Sequence, residues 1–255
     1  MDTPSVAALR RRIPRPVKDA VRVASRELDT ARQRVTGGPV PPRALRDKVS
    51  GDFFGVGREF CGYMIDLGGL EPTDWVLDIG CKAGRMAIPL ALYLEPEARY
   101  DGVDDWEEGI EWCRRALSSR HPNLAFHQVP VEGRDGSPPS LPFEDGTFDF
   151  AFFASINHLT PTQFAFTLRE TSRVLAADGK YLGTWYLRDR LGNDPPGTPG
   201  PGACSEDQAR EHLASVGLAV EGVHRGSWDG FPSPLTFQDV VVAKKRSTGG
   251  EAGAG

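Results

Sequence analysis

Cysteine is scarce in this 255-residue chain: Cys61, Cys81, Cys113 and Cys204 are its four, and no two are spaced as C-x-x-C. Neither a zinc site nor a disulfide framework is indicated, and a reducing cytoplasm is the expected setting. Long apolar runs are missing as well. A membrane-spanning helix needs about 18 apolar residues. The densest stretch, MAIPLALYL at 86–94, is interrupted by Pro89, so no transmembrane segment is expected. The arginine-rich N-terminus lacks the apolar core of a secretory signal. Net positive charge is lacking too. At -5 overall, the chain is a poor candidate for general nucleic-acid affinity, and no stable nucleic-acid partner is expected. No cluster of metal-ligating residues is apparent, so no metal is assigned.

What is present suits a soluble globular enzyme: 39% hydrophobic and 25% charged residues can build a sizeable core. Charge is unevenly spread. Residues 10–35 hold nine Lys or Arg against three acids, leaving about -11 on the rest of the chain. Within that segment Val17, Ala20, Val21, Ala24, Leu28, Ala31 and Val35 form an amphipathic stripe. It could lie on an anionic membrane surface or dock a protein partner; a solvated helix on the domain is the plainer alternative. TGGPVPP at 36–42 breaks the pattern. The expected organisation is a basic helical extension and linker over 1–42, one domain over 43–246, and a disordered Gly/Ala-rich tail over 247–255.

The body alternates. Helical spacing at Phe53, Val56, Phe60, Met64 and Leu67 precedes strands at 75–79, 98–104, 124–129, 148–154 and 180–186. Helices are expected over roughly 84–94, 107–118, 162–175 and 206–216. Two closing strands, LAVEGVHR and FQDVVVAKK, have no helix between them. Alternation of this kind predicts an α/β, doubly wound, mostly parallel seven-stranded sheet, ending in an antiparallel hairpin at one sheet edge.

The turn after the first strand carries the chemistry. In such a sheet a ligand sits beyond the strand ends, at the switch point. A dinucleotide site wants G-x-G-x-x-G, whereas this chain reads Asp78-Ile79-Gly80-Cys81-Lys82-Ala83-Gly84. Asp78 disfavours a pyrophosphate and suits a cation or an amine; capping of the next helix is its alternative role.

VLDIGCKAGRMAIPL resembles motif I of the class I S-adenosylmethionine (SAM) methyltransferases. GVDDWEEGIEWCRRAL, LPFEDGTFDFAFFASINHL and RETSRVLAADGKYLGTW resemble three further stretches of that family in the right order, the last with Ala177-Asp178-Gly179 replacing Pro-Gly-Gly. The resemblance covers roughly residues 45–245. It implies the class I methyltransferase fold, SAM as cofactor, and a cofactor site built from Asp78, Gly80, Cys81, Lys82, Gly84 and Asp104. Asp104 matches the acid that pairs with the ribose hydroxyls, a bidentate role its chemistry allows; a solvated loop acid is the other reading. Asp105 is either a second ligand or a bystander. Lys82 stands where the family usually has glycine. A left-handed lysine costs about 1–2 kcal/mol, tolerable if its side chain points into solvent. After the third strand the family's adenine-reading acid is replaced by QVPVE, so Glu132 serves from a shifted position or apolar contacts hold the base.

Ala154 and Ser155 are expected to complete the cofactor site, where the family's pocket opens towards the acceptor. His158, three residues on, has the pKa range of a general base, with a packing histidine as the rival reading. Trp185 and Tyr186 either wall an acceptor pocket or belong to the core. The Pro/Gly loop at 188–202 is long enough for a lid, or is a plain surface loop. The resemblance implies methylation of a small molecule, with oxygen of a glycan or natural-product intermediate expected as acceptor. A non-catalytic SAM-binding module acting through partners is the alternative. A nicotinamide dehydrogenase is disfavoured by the missing glycine spacing and the closing hairpin.

Overall fold

Strands β1 (Trp75–Ile79) and β4 (Phe148–Phe153) are almost wholly buried, which is why their sequences run apolar on both faces. A computed structural model describes residues 38–130, 140–154, 159–187, 203–226 and 238–246. The basic segment at 10–35 and the tail lie outside the described residues. So does the whole of the expected lid loop.

β1 and β4 sit side by side at the centre of one sheet, with β2 (Arg99–Asp104), β3 (Leu124–Gln128), β5 (Leu175–Leu187), β7 (Leu218–His224) and β8 (Asp239–Lys245) completing the order β3-β2-β1-β4-β5-β8-β7. A two-residue strand β6 (Ala203–Cys204) adds to β5. The pairs among β1 to β5 are parallel, while β8 runs antiparallel to both β5 and β7. The expected closing hairpin is present at one end of the sheet. Its second strand lies inside, against β5, and the first forms the edge.

The pleat divides the core in two. Val76, Phe150 and Phe152 face one apolar cluster, and Leu77, Ile79, Ala151 and Phe153 the other. Helices cover both faces: α1 (Arg43–Asp47), α2 (Phe53–Asp66), α3 (Ala87–Leu90), α4 (Glu107–Cys113), α5 (Pro161–Val174) and α6 (Glu206–Ser215). Local chemistry sets the starts of the last two. Thr160 with Gln163, and Ser205 with Gln208, form capping boxes, and Pro161 fits the first turn.

Two expectations need correction. The helix predicted over 84–94 has only a four-residue regular core, because Pro89 supplies no N–H and loosens the surrounding turns. β5 begins at Leu175, five residues before expectation. Leu175 pairs with Phe148, after which the register shifts so that Lys180 meets Phe150. The intervening Asp178 has φ 63°, the mark of a bulge. Among the described residues no helix is long and apolar enough to cross a membrane.

Candidate functional site

The switch point falls between β1 and β4, where neighbouring crossovers leave to opposite faces, and a cavity of about 710 Å³ opens there. That volume is within the usual range for small-molecule and cofactor sites. Its floor is the turn leaving β1. Gly80 and Gly84 adopt φ 83° and 72°, so both need glycine's freedom. A Cβ on Gly80 would meet nothing within 4 Å, leaving the backbone bare towards the cavity. One on Gly84 would meet Leu117 Cδ1 at 2.7 Å; this glycine admits helix packing instead. The turn is tied to β2 by Gly80 and Cys81 N–H groups donating to the Val103 carbonyl at 2.8 and 3.1 Å.

Lys82 does take up left-handed backbone, at φ 52°. Its side chain is half exposed, and Nζ lies 3.3 Å from Asp104 Oδ1 and 3.9 Å from Asp105 Oδ1. The Lys82 backbone N–H also donates to Asp104 Oδ2 at 2.9 Å, and Trp106 N–H donates to Oδ1 at 2.9 Å. The Asp104 carboxylate is only 1% exposed. Burial pushes its pKa up, and Lys82 with the two backbone donors pulls it back, leaving it above the ordinary value. A carboxylate offers about four acceptor positions. Among the described residues three donors occupy it, so a two-point grip on a diol requires the Lys82 ammonium to leave Oδ1.

Asp78 lies beneath the turn and is not a cavity wall. It is 1% exposed and accepts a hydrogen bond from Tyr100 Oη at 2.6 Å. Burial pushes its pKa up to about 7, against the opposing effect of the Tyr100 hydrogen bond. Cys81 is buried against Gly102, and its thiol pKa is raised well above the ordinary range by desolvation. Neither it nor Gly84 lines the cavity.

Of the residues singled out from the sequence, Gly80, Lys82, Asp104, Asp105 and Ala154 line the cavity together. Glu132, Ser155 and His158 lie outside the described residues. Trp185 is fully buried in the core beside Phe164 and is no cavity wall.

Other walls were not foreseen. Lys48, Val49 and Ser50 come from the segment joining α1 to α2. Lys48 Nζ reaches Glu108 Oε2 at 2.6 Å and lies over the Trp106 ring. Arg85 follows the turn directly, and a Cβ on Gly57 would collide with its carbonyl, so α2 packs tightly there. On the far side Gln163, Phe166, Thr167 and Glu170 share one face of α5, a helical spacing that the sequence displays. Glu170 accepts from Leu141 N–H at 2.8 Å and from Arg173. Burial alone would raise its carboxyl, but those hydrogen bonds outweigh it and hold it below the ordinary value. With Val129, Leu141 and Leu159 beside it, this end of the cavity is mainly apolar.

Residues 76–179 match the methyltransferase-domain family. The phthiotriol/phenolphthiotriol dimycocerosates methyltransferase of Mycobacterium tuberculosis is 33% identical over 117 residues, covering 46% of this chain and 38% of that protein. Matches of this kind span 34% to 45% of the curated relatives' own length. Among solved structures, the Burkholderia thailandensis 1,6-didemethyltoxoflavin-N1-methyltransferase, bound to 1,6-didemethyltoxoflavin and S-adenosylhomocysteine, aligns with a TM-score of 0.56 at 19% identity, over 97% of this chain and 94% of that one. The cyclase SpnF aligns with a TM-score of 0.58 at 17% identity, over 89% of this chain and 95% of that one. At these identities the structures establish the fold.

Proposed function

We propose that this chain, a class I SAM-dependent methyltransferase in sequence and fold, binds SAM in the cavity above Gly80 and transfers its methyl group to an oxygen of a small molecule, a glycan or natural-product intermediate. The observation that carries this reading is the pairing of a bare glycine turn with a buried acid: Gly80 and Asp104 border one cavity at the switch point. The residues fit the cofactor's parts. Asp104 can accept from the ribose hydroxyls once Lys82 yields. The apolar end at Val129, Leu141 and Leu159 suits a flat base, which answers the missing acid after β3.

When bound, SAM supplies a methyl group already activated by its sulfonium. What remains for the chain is alignment, exclusion of water and removal of one proton. The α1–α2 segment, latched by Lys48 to Glu108, closes one side of the cavity. His158 is proposed as the general base. The relatives' names support a small-molecule acceptor in the coarse sense; they do not agree on an acceptor atom.

Calorimetric titration with S-adenosylhomocysteine, followed by labelled-methyl transfer to hydroxylated small molecules, tests the proposal. Binding with turnover is expected, and His158→Ala should lower turnover about 100-fold or more with binding retained. Failure to bind the nucleoside would overturn the cofactor reading. Binding without turnover on any acceptor favours the alternative, a SAM-binding module acting through partners. One observation speaks for that alternative: the Lys82 ammonium already rests on the ribose-binding acid.

A further inference from the structure

Among the described residues, six charged side chains line the cavity: Lys48, Lys82, Arg85, Asp104, Asp105 and Glu170. Five of them meet a countercharge: Lys48 pairs with Glu108, Lys82 with Asp104 and Asp105, and Glu170 with Arg173. Arg85 differs. Among the described residues its guanidinium meets the Ser50 carbonyl, 2.7 Å from Nη1, and no carboxylate in ion-pair range. The charge of Asp78 acts on it from beyond contact distance, and burial works against its charged form. A guanidinium carries five donors in a planar fork matched to an oxyanion. Here one donor is used, on a neutral acceptor, at the edge of a cavity.

We infer that Arg85 binds the α-carboxylate at the amino-acid end of the adenosyl cofactor. The inference rests on the cofactor reading above and adds an anchor to it. Asp104, closing β2, accepts from the sugar, while Arg85, braced against Ser50 of the α1–α2 segment, donates to the carboxylate. Recognition of this kind separates SAM and its product from adenosine thioethers that lack the amino acid.

The test titrates wild type, Arg85→Ala and Arg85→Lys with S-adenosylhomocysteine and with 5'-methylthioadenosine, which keeps the sugar, base and thioether but has no carboxylate. Arg85→Ala is expected to weaken S-adenosylhomocysteine about 10- to 100-fold while leaving methylthioadenosine within about twofold, since a hydrogen bond to a charged group is lost with one ligand only. Arg85→Lys should fall between. Unchanged methylthioadenosine affinity also shows that the pocket is intact in the variant. The inference is overturned if Arg85→Ala binds S-adenosylhomocysteine as wild type does, the result expected if the guanidinium serves an acceptor's carboxylate. It is equally overturned if both ligands weaken together, the mark of a structural role through Ser50. Should wild type bind neither nucleoside, the cofactor reading itself fails, and that outcome is distinct from the other two.

Discussion

Two turns in the described chain put a residue other than glycine into the left-handed region: Lys82, at φ 52°, and Asp178, at φ 63°. Both stand where the family resemblance expects glycine, and both are ion-paired. Aspartate tolerates this backbone because its short side chain can bond locally. Asp178 meets Lys244 at 3.0 Å between two partly exposed side chains, neither of which lines the cavity. Lysine has no such local remedy. Lys82 is held instead by Asp104, which accepts both its backbone N–H and its ammonium. The same departure from glycine is therefore a matter of stability alone at Asp178, whereas at Lys82 it also occupies the acid proposed to grip the cofactor's ribose.

The strongest way to break this comparison is to ask whether the turn needs left-handed backbone at all. Gly84→Ala combines a strained φ with a collision at Leu117, and should destabilise by about 2–4 kcal/mol in urea unfolding. Gly80→Ala carries the strain without the collision, and about 1–2 kcal/mol is expected. A Gly80→Ala variant as stable as wild type would mean that packing, not backbone, governs the turn.

Asp78 sharpens the contrast from beneath. Its folded-state pKa of about 7 lies above the ordinary value of 3.8. Its contribution to stability is therefore fully present below pH about 4 and is lost as pH rises through about 7. Asp78→Asn should abolish this slope, so that the variant gains on wild type by on the order of 4 kcal/mol between those limits. Parallel pH profiles for the two proteins would contradict the assignment.

The smallest effects compare the two turns directly. Lys82→Gly should stabilise by about 1 kcal/mol and tighten S-adenosylhomocysteine about 2- to 5-fold, the size of a partly exposed ion pair. Asp178→Gly should shift stability by no more than about 0.5 kcal/mol and leave ligand affinity unchanged. An affinity change at Asp178 would erase the distinction.

Much of the fold was legible in the sequence because its central strands are buried on both faces and read as apolar blocks. The boundaries that failed have local causes. Pro89 interrupts the helical periodicity after the turn, and the polar bulge at Asp178 hides the early start of β5. The floor of the site was legible too, since Gly80 and Asp104 lie within motifs. The walls were not. Ser50 meets Arg85 across 35 residues of sequence, and no local pattern records such a contact. Lys82's contact with Asp104 is a different case. A cation and an acid that both border one cavity are apt to pair, and a reading that asked only whether the lysine reached solvent did not weigh that pairing.

Titrating S-adenosylhomocysteine into wild type, Asp104→Asn and Lys82→Ala measures the central claim most directly. The account predicts binding to wild type, severe weakening with Asp104→Asn, and tighter binding with Lys82→Ala. Wild-type binding that ignores Asp104, or a Lys82→Ala variant that binds more weakly, would contradict it.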